Sequence, residues 1–106
     1  MADSAKRLLG PTLLTGAATT LYTVPGATQT IVRHIHVSNN HTAAVTLTLS
    51  IGTDAAATRI YDAFSIPPNG ALDWAGFMVL EAAEIIQGWG STASKLAITA
   101  SGVEIA

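Results

Sequence analysis

Val45-Thr46-Leu47-Thr48-Leu49-Ser50-Ile51 alternates without a break between aliphatic and hydroxyl side chains. Successive side chains of a β-strand point to opposite faces, so this stretch sets every apolar group on one face and every hydroxyl on the other. That is the signature of a strand with one face in a core. The other face carries Thr and Ser where a free-standing protein usually places Lys and Glu. Charged residues make up 11% of the chain, against roughly 25% in an average soluble domain. The deficit predicts surfaces covered by other protein.

Outward from this strand, turn residues punctuate the sequence at short intervals: Gly10-Pro11, Pro25-Gly26, Ser38-Asn39-Asn40, Gly52-Thr53-Asp54, Pro67-Pro68-Asn69-Gly70, Gly88 to Gly90, and Ser101-Gly102. The segments between them are rich in Thr, Val, Ile and Leu. They read as strands over 6–14, 20–24, 29–38, 43–52, 57–66, 70–80, 84–89 and 95–105. Helical competitors are confined to Asp54–Arg59 and Glu81–Glu84, each too short to bury a helical stripe. Tyr22-Thr23-Val24-Pro25-Gly26 and Phe64-Ser65-Ile66-Pro67-Pro68-Asn69-Gly70 both run from a strand through a proline corner into a long strand. Two such corners suit two sheets folded against each other. The expectation is one all-β domain over residues 1–106, an antiparallel β-sandwich of jelly-roll type with about eight short strands, and with residues 1–8 as an extended docking arm.

Five Lys plus Arg against seven Asp plus Glu give a net charge of −2, so no basic field exists to hold a nucleic-acid backbone. Without cysteine there is no disulfide and no thiolate metal site. Lys6-Arg7-Leu8-Leu9 opens like a secretory signal, but Gly10-Pro11-Thr12 cuts the apolar run short of the ~7 to 15 residues such a signal needs. Nothing approaches the ~18 apolar residues of a membrane span. The mean hydropathy of +0.42 is therefore spread through short strands, as expected of a subunit whose exposed faces become interfaces.

His34 and His36, two apart on a strand, share a face and supply two metal ligands if a third arrives from elsewhere. No third ligand stands out. The plainer reading sends Ile31, Ile35 and Val37 to the core and His34, His36 and Ser38 outward, with no metal and no cofactor. Arg33 then has inward parity. Either Asp62, Asp73 or Glu84 pairs with it, or it lies near a sheet end and carries its head to water along its apolar stem. Trp74 shares a strand face with Leu72, Gly76 and Met78 as a core or interface anchor, while Trp89 sits between Gly88 and Gly90, a flexible setting where its ring either is exposed for sugar stacking or a neighbouring subunit, or fills the core. Trp74, Phe77 and Trp89, together with His34 and His36, are the expected contact residues, since aromatic anchors dominate protein interfaces. A closed homo-oligomer, a trimer or ring, would hide the sheet edges. No Gly-x-Ser-x-Gly, phosphate loop or His-Glu-x-x-His occurs, so a non-enzymatic role is expected.

Taken together, Leu9-Gly10-Pro11-Thr12, Leu21-Tyr22-Thr23-Val24-Pro25, Ile31-Val32-Arg33-His34-Ile35-His36-Val37, Leu72-Asp73-Trp74-Ala75-Gly76-Phe77-Met78-Val79-Leu80 and Thr99-Ala100-Ser101-Gly102-Val103-Glu104 give a chain that resembles small tailed-phage virion proteins. The resemblance covers nearly the whole chain and lies in the pattern of strands and turns. It implies a compact β-sandwich attached to a tail, tail tip or capsid, as a minor tail protein or head decoration. Its partners would be copies of itself and other virion proteins, and its location the virion assembled in the host cytoplasm. Glu81-Ala82-Ala83-Glu84 departs from the pattern, because related sandwiches often have Gly in that turn. A host-surface carbohydrate-binding module is the alternative, and it would expose aromatics in a groove where a structural subunit would bury them between chains.

Overall fold

The computed structural model describes residues 3–105. They form no helix and eight strands: β1 (Asp3–Leu13), β2 (Thr19–Thr23), β3 (Gln29–Asn39), β4 (Val45–Ile51), β5 (Arg59–Ile66), β6 (Ala71–Leu80), β7 (Ile85–Gly90) and β8 (Leu96–Ile105). Each matches one expected segment. A first sheet has the order β1-β8-β3-β6 and a second the order β2-β7-β4-β5, with every pairing antiparallel. Chain neighbours mostly lie in opposite sheets, which is jelly-roll connectivity. Both proline corners carry the chain from the second sheet to the first, one between β2 and β3, the other between β5 and β6. Val24 and Ile66, the residues before the corner prolines, are 2% and 1% exposed.

The segment expected as a docking arm runs from Asp3 as part of β1, paired with β8 from Asp3↔Ile105 to Arg7↔Ser101. Met1 and Ala2 lie outside the described residues. In the Glu81–Glu84 turn the left-handed position falls on Ala83, with φ 68°. Gly favours that conformation, and Ala adopts it here while its N–H donates to the Val24 carbonyl across the corner.

The inner faces meet in one aliphatic core. Val45, Leu47 and Leu49 of β4 pack there with Val32, Ile35 and Val37 of β3, and with Ile66, Leu80, Ile86, Leu96 and Ile98. Each such buried aliphatic contributes ~1.5–3 kcal/mol relative to exposure. The alternation of β4 is thus inward as expected.

Its outer face is not. Thr48 and Ser50 are 3% and 1% exposed, covered by this chain itself and not by another protein. Trp89 and Gln87 of β7 lie opposite them. Thr48 Oγ1 accepts the Ala63 N–H of β5 at 3.1 Å, and Ser50 Oγ donates to Asp54 at 2.7 Å where the loop after β4 folds back. Short hydroxyls on an outer face therefore do not by themselves mark a surface that another protein covers. Here the neighbouring strands cover Thr48 and the adjoining loop covers Ser50.

A second departure lies in β3. Val32 pairs with Gly102 and His34 with Ser101 of β8, leaving Arg33 as an extra, bulged residue. Thr30 and Val32 point inward before the bulge, and Ile35, Val37 and Asn39 after it, so Ile31 faces outward and not to the core. Arg33 is exposed because it is the bulge residue, and its Nε donates to the Gly76 carbonyl at 2.9 Å. The bulge crosses the sheet. Opposite Arg33, β6 carries two residues, Gly76 and Phe77, while β1 has its own extra residue at Leu8.

At this level β3 and β8 approach so closely that a methyl group added at Gly102 would lie 1.9 Å from the Ile31 carbonyl oxygen. Gly102→Ala should lower the unfolding free energy by about 3 kcal/mol, through forced separation of two central strands. Gly26→Ala, where an added methyl group meets nothing within 4 Å, should leave the urea midpoint unchanged. Equal midpoints for the two variants would contradict this packing.

Candidate assembly surface

On the second sheet a loop folds over part of β4, and Ile60 and Phe64 of β5 are exposed; the outside of the first sheet is open as well. The ladders align its side chains into rows. Ala5, Val103, Ile31 and Val79 stand side by side across β1, β8, β3 and β6, an apolar row spanning the sheet. Phe77, 66% exposed, lies beside the Val79 end, where Val79 is 45% exposed. The bulge leaves Ile31 on this outer face, and Phe77 shares the outward parity of Asp73, Ala75 and Val79.

Beyond the bulge the face becomes polar. Arg7, Ser101, His34 and Ala75 form one row, and Thr99, His36 and Asp73 the next. The Nδ1–H of His36 donates to Asp73 Oδ1 at 2.6 Å and the Nε2–H of His34 to the same oxygen at 3.0 Å. These bonds, His36 first, hold the Asp73 carboxyl below the usual carboxylate range. The rings stack 6.5 Å apart. Sequence reasoning placed the histidines on one outward face but missed Asp73 as their partner. That pairing depends on β3 lying beside β6, two strands separated by a visit to the other sheet. Among the described residues no group of three or more His, Asp or Glu is arranged to hold a metal ion.

The two tryptophans sit differently from Phe77. Trp74 is on the inner side of β6 opposite Ile35, packed against the core with its ring over Gly76. Trp89 is half-buried on the outer side of β7 beside Thr48, and its Nε1 has no hydrogen-bond partner among the described residues. The neighbouring glycines serve packing and not flexibility. A methyl group at Gly88 would lie 2.9 Å from a Leu49 methyl group.

Two polar clusters lie apart from these faces, one between the sheets and one on the second sheet. Between the sheets, the Tyr22 hydroxyl donates to Glu104, accepts from Thr30 at 2.8 Å, and Lys6 reaches Glu104 at 3.1 Å. Burial, then the Glu104 carboxylate, pushes the Tyr22 hydroxyl up to about 12. On the second sheet, Arg59 grips both Asp54 oxygens at 2.9 and 3.0 Å and Asp62 at 3.1 Å. The Arg59 fork, with Ser50, lowers the Asp54 carboxyl to about 2. A shallow depression lined by Ala27, Thr28, Gln29, Glu81, Ala82 and Ile105 contains no aromatic side chain.

No protein-family model matches the sequence, and a search of curated proteins gives no match. Among solved structures, one of Bacillus endospore appendages, a family of disulfide-linked pili, is similar with a TM-score of 0.56 at 10% identity, over 96% of this chain and 86% of that chain. A second, from infectious bursal disease virus Gt strain, reaches a TM-score of 0.40 at 9% identity, and this chain spans only 28% of its length. At these identities the first likeness is one of fold, and the second is too loose to support an argument.

Asp54, at about 2 against an ordinary 3.8, contributes stability that is fully present above pH 3.8 and is lost as pH falls toward 2. Asp54→Asn should therefore melt below the unsubstituted chain at pH 7, with the difference closing between pH 4 and pH 2. A difference that stays constant over that interval would show that the carboxylate's charge is not what stabilises the loop. Dialysis against EDTA should leave the melting temperature unchanged. A drop reversed by zinc alone would mean that His34, His36 and Asp73 rearrange around a metal.

Proposed function

We propose that this chain is a non-enzymatic structural subunit of a tailed-phage virion, working by protein–protein assembly as an accessory subunit of the tail or tail tip or as a capsid decoration protein. The observation that carries the reading is the apolar row Ala5–Val103–Ile31–Val79 with Phe77 beside it. It lies open across a whole sheet in a chain with 11% charged residues. A contiguous apolar strip of this kind marks a protein contact. The fold likeness to a pilus subunit supports a building-block role, with one difference in chemistry. Those pili are disulfide-linked, whereas this chain has no cysteine and its contacts use no disulfide. The carbohydrate-binding alternative has less behind it, because Trp74 packs inward against the core and Trp89 is half-buried.

The test is to follow the chain through purification of the particle that it is expressed with and to image that particle by cryo-electron microscopy. Density matching a two-sheet, four-plus-four sandwich on tail or capsid is the expected result. A chain that never co-purifies with particles would overturn the reading.

A further inference from the structure

The four sheet edges are unequally defended. On β1 the ladder is broken at Leu8 and again at Gly10-Pro11, and Lys6 and Arg7 add charge. Strand β2 has five residues and a break. Strand β5 exposes Ile60 and Phe64 but has two breaks, a left-handed Ala63, and the charges of Arg59 and Asp62. Breaks, short length and charge are the usual devices against stray strand pairing. Strand β6 is less defended, with one break, at Gly76–Phe77. Its ten residues include one charge, Asp73, and the exposed Phe77 and Val79. From Ala71 to Ala75 it holds unbroken register with β3 on one side, and the sheet ends on the other.

The direction of its free backbone groups follows from the ladder. The Asn39 N–H donates to the Gly70 carbonyl at 2.8 Å. Antiparallel pairs alternate between hydrogen-bonded and non-hydrogen-bonded. Counting on through Ser38↔Ala71 and Val37↔Leu72, Leu72 and Trp74 direct their N–H and C=O groups at β3. Ala71, Asp73 and Ala75 turn theirs to the open side.

We propose that this edge pairs antiparallel with the β6 edge of a second copy of the chain, about a twofold axis at Ala75, which joins the two first sheets into one. The inference rests on the assembly reading above and names the partner and the contact. A strand with a single charge suits a partner equally poor in charge, and its own copy is one. The axis is set by electrostatics and size. Pairing centred on Asp73 would put two carboxylates face to face, which is unfavourable. Centring on Ala75 separates them and brings each Asp73 beside Phe77 of the other copy. There it comes within reach of that copy's Arg33, whose exposed guanidinium lies opposite the Gly76–Phe77 bulge. Ala75 at the axis is small enough for the strands to meet, and the exposed ends of Phe77 and Val79 are covered by the neighbour. A twofold contact of this kind yields a dimer and not the trimer or ring that composition alone suggests.

The experiment combines sedimentation equilibrium with amide hydrogen exchange on the whole chain. A dimer should form with rising concentration, and the Ala71, Asp73 and Ala75 amides should gain protection in step with it. Ala75→Lys, which sets two ammonium groups at the axis on an exposed position, should weaken the dimer at least about tenfold. Thr12→Lys, adding the same charge to the β1 edge, should leave the dimer unchanged. The exchange measurement needs no variant, so a misfolded Ala75→Lys chain does not blunt the test. A monomer at all concentrations, a trimer, or an oligomer whose three amides stay unprotected would overturn the β6 contact. None of these results bears on whether the chain is found in particles, which the imaging decides separately.

Discussion

One bulged residue, Arg33, sorts the faces of the first sheet. Strict alternation from Val32 would carry His34 and His36 into the core and turn Ile35 and Val37 out. Inserting one unpaired residue resets the parity, so the imidazoles stay outside and the branched aliphatics go in. The same reset leaves Ile31 outside, where it continues the apolar row between Val103 and Val79. The close approach of Gly102 to Ile31 and the paired residues Gly76 and Phe77 on β6 are the neighbouring strands' adjustments to this one insertion. The core, the histidine–aspartate cluster and the apolar strip therefore share a single geometric origin.

The two sheets reach different solutions on their outer faces. The second sheet folds its own loop over β4, where the Arg59 fork on Asp54 and the Ser50 hydroxyl satisfy the polar groups that the loop brings down. The first sheet has no such roof. Its β-bulges bend it and expose a strip that no segment of the chain covers among the described residues. Charge follows the same division. The open face carries Arg7, Arg33 and Asp73, and the acidic residues Glu81, Glu84, Asp54 and Asp62 lie on loops and on the second sheet.

Packing alone does not close a sandwich this thin. At one end, Tyr22 spans the gap between the sheets to Thr30 and Glu104, with Lys6 outside them. At the other, buried Asn39 donates to the carbonyls of Ala43 and Ile66 and accepts the His41 N–H, tying the loop after β3 to the second proline corner. Both are polar groups made affordable in the interior by being fully paired. They tie the two sheets to each other at both ends of the sandwich.

The sequence by itself determined what depends on neighbouring residues. Alternation in Val45–Ile51, the two proline corners and the spacing of turn residues were enough for an eight-stranded antiparallel sandwich, because period-two patterning and turn chemistry act over a few residues. The outward pair His34 and His36 and the exposed Phe77 were legible for the same reason. Tertiary structure alone decided the rest. The bulge at Arg33 arises from the fit of β3 between β8 and β6, strands far from it in the chain, and it overturned the parity assigned to Ile31. Asp73 joins the histidines, Thr48 is covered between β5 and β7, and Ser50 lies under the loop after β4, only once nonlocal pairing fixes which strands are neighbours. A pattern in sequence fixes which faces of a strand differ, but which face is covered, and by what, depends on distant segments meeting in space.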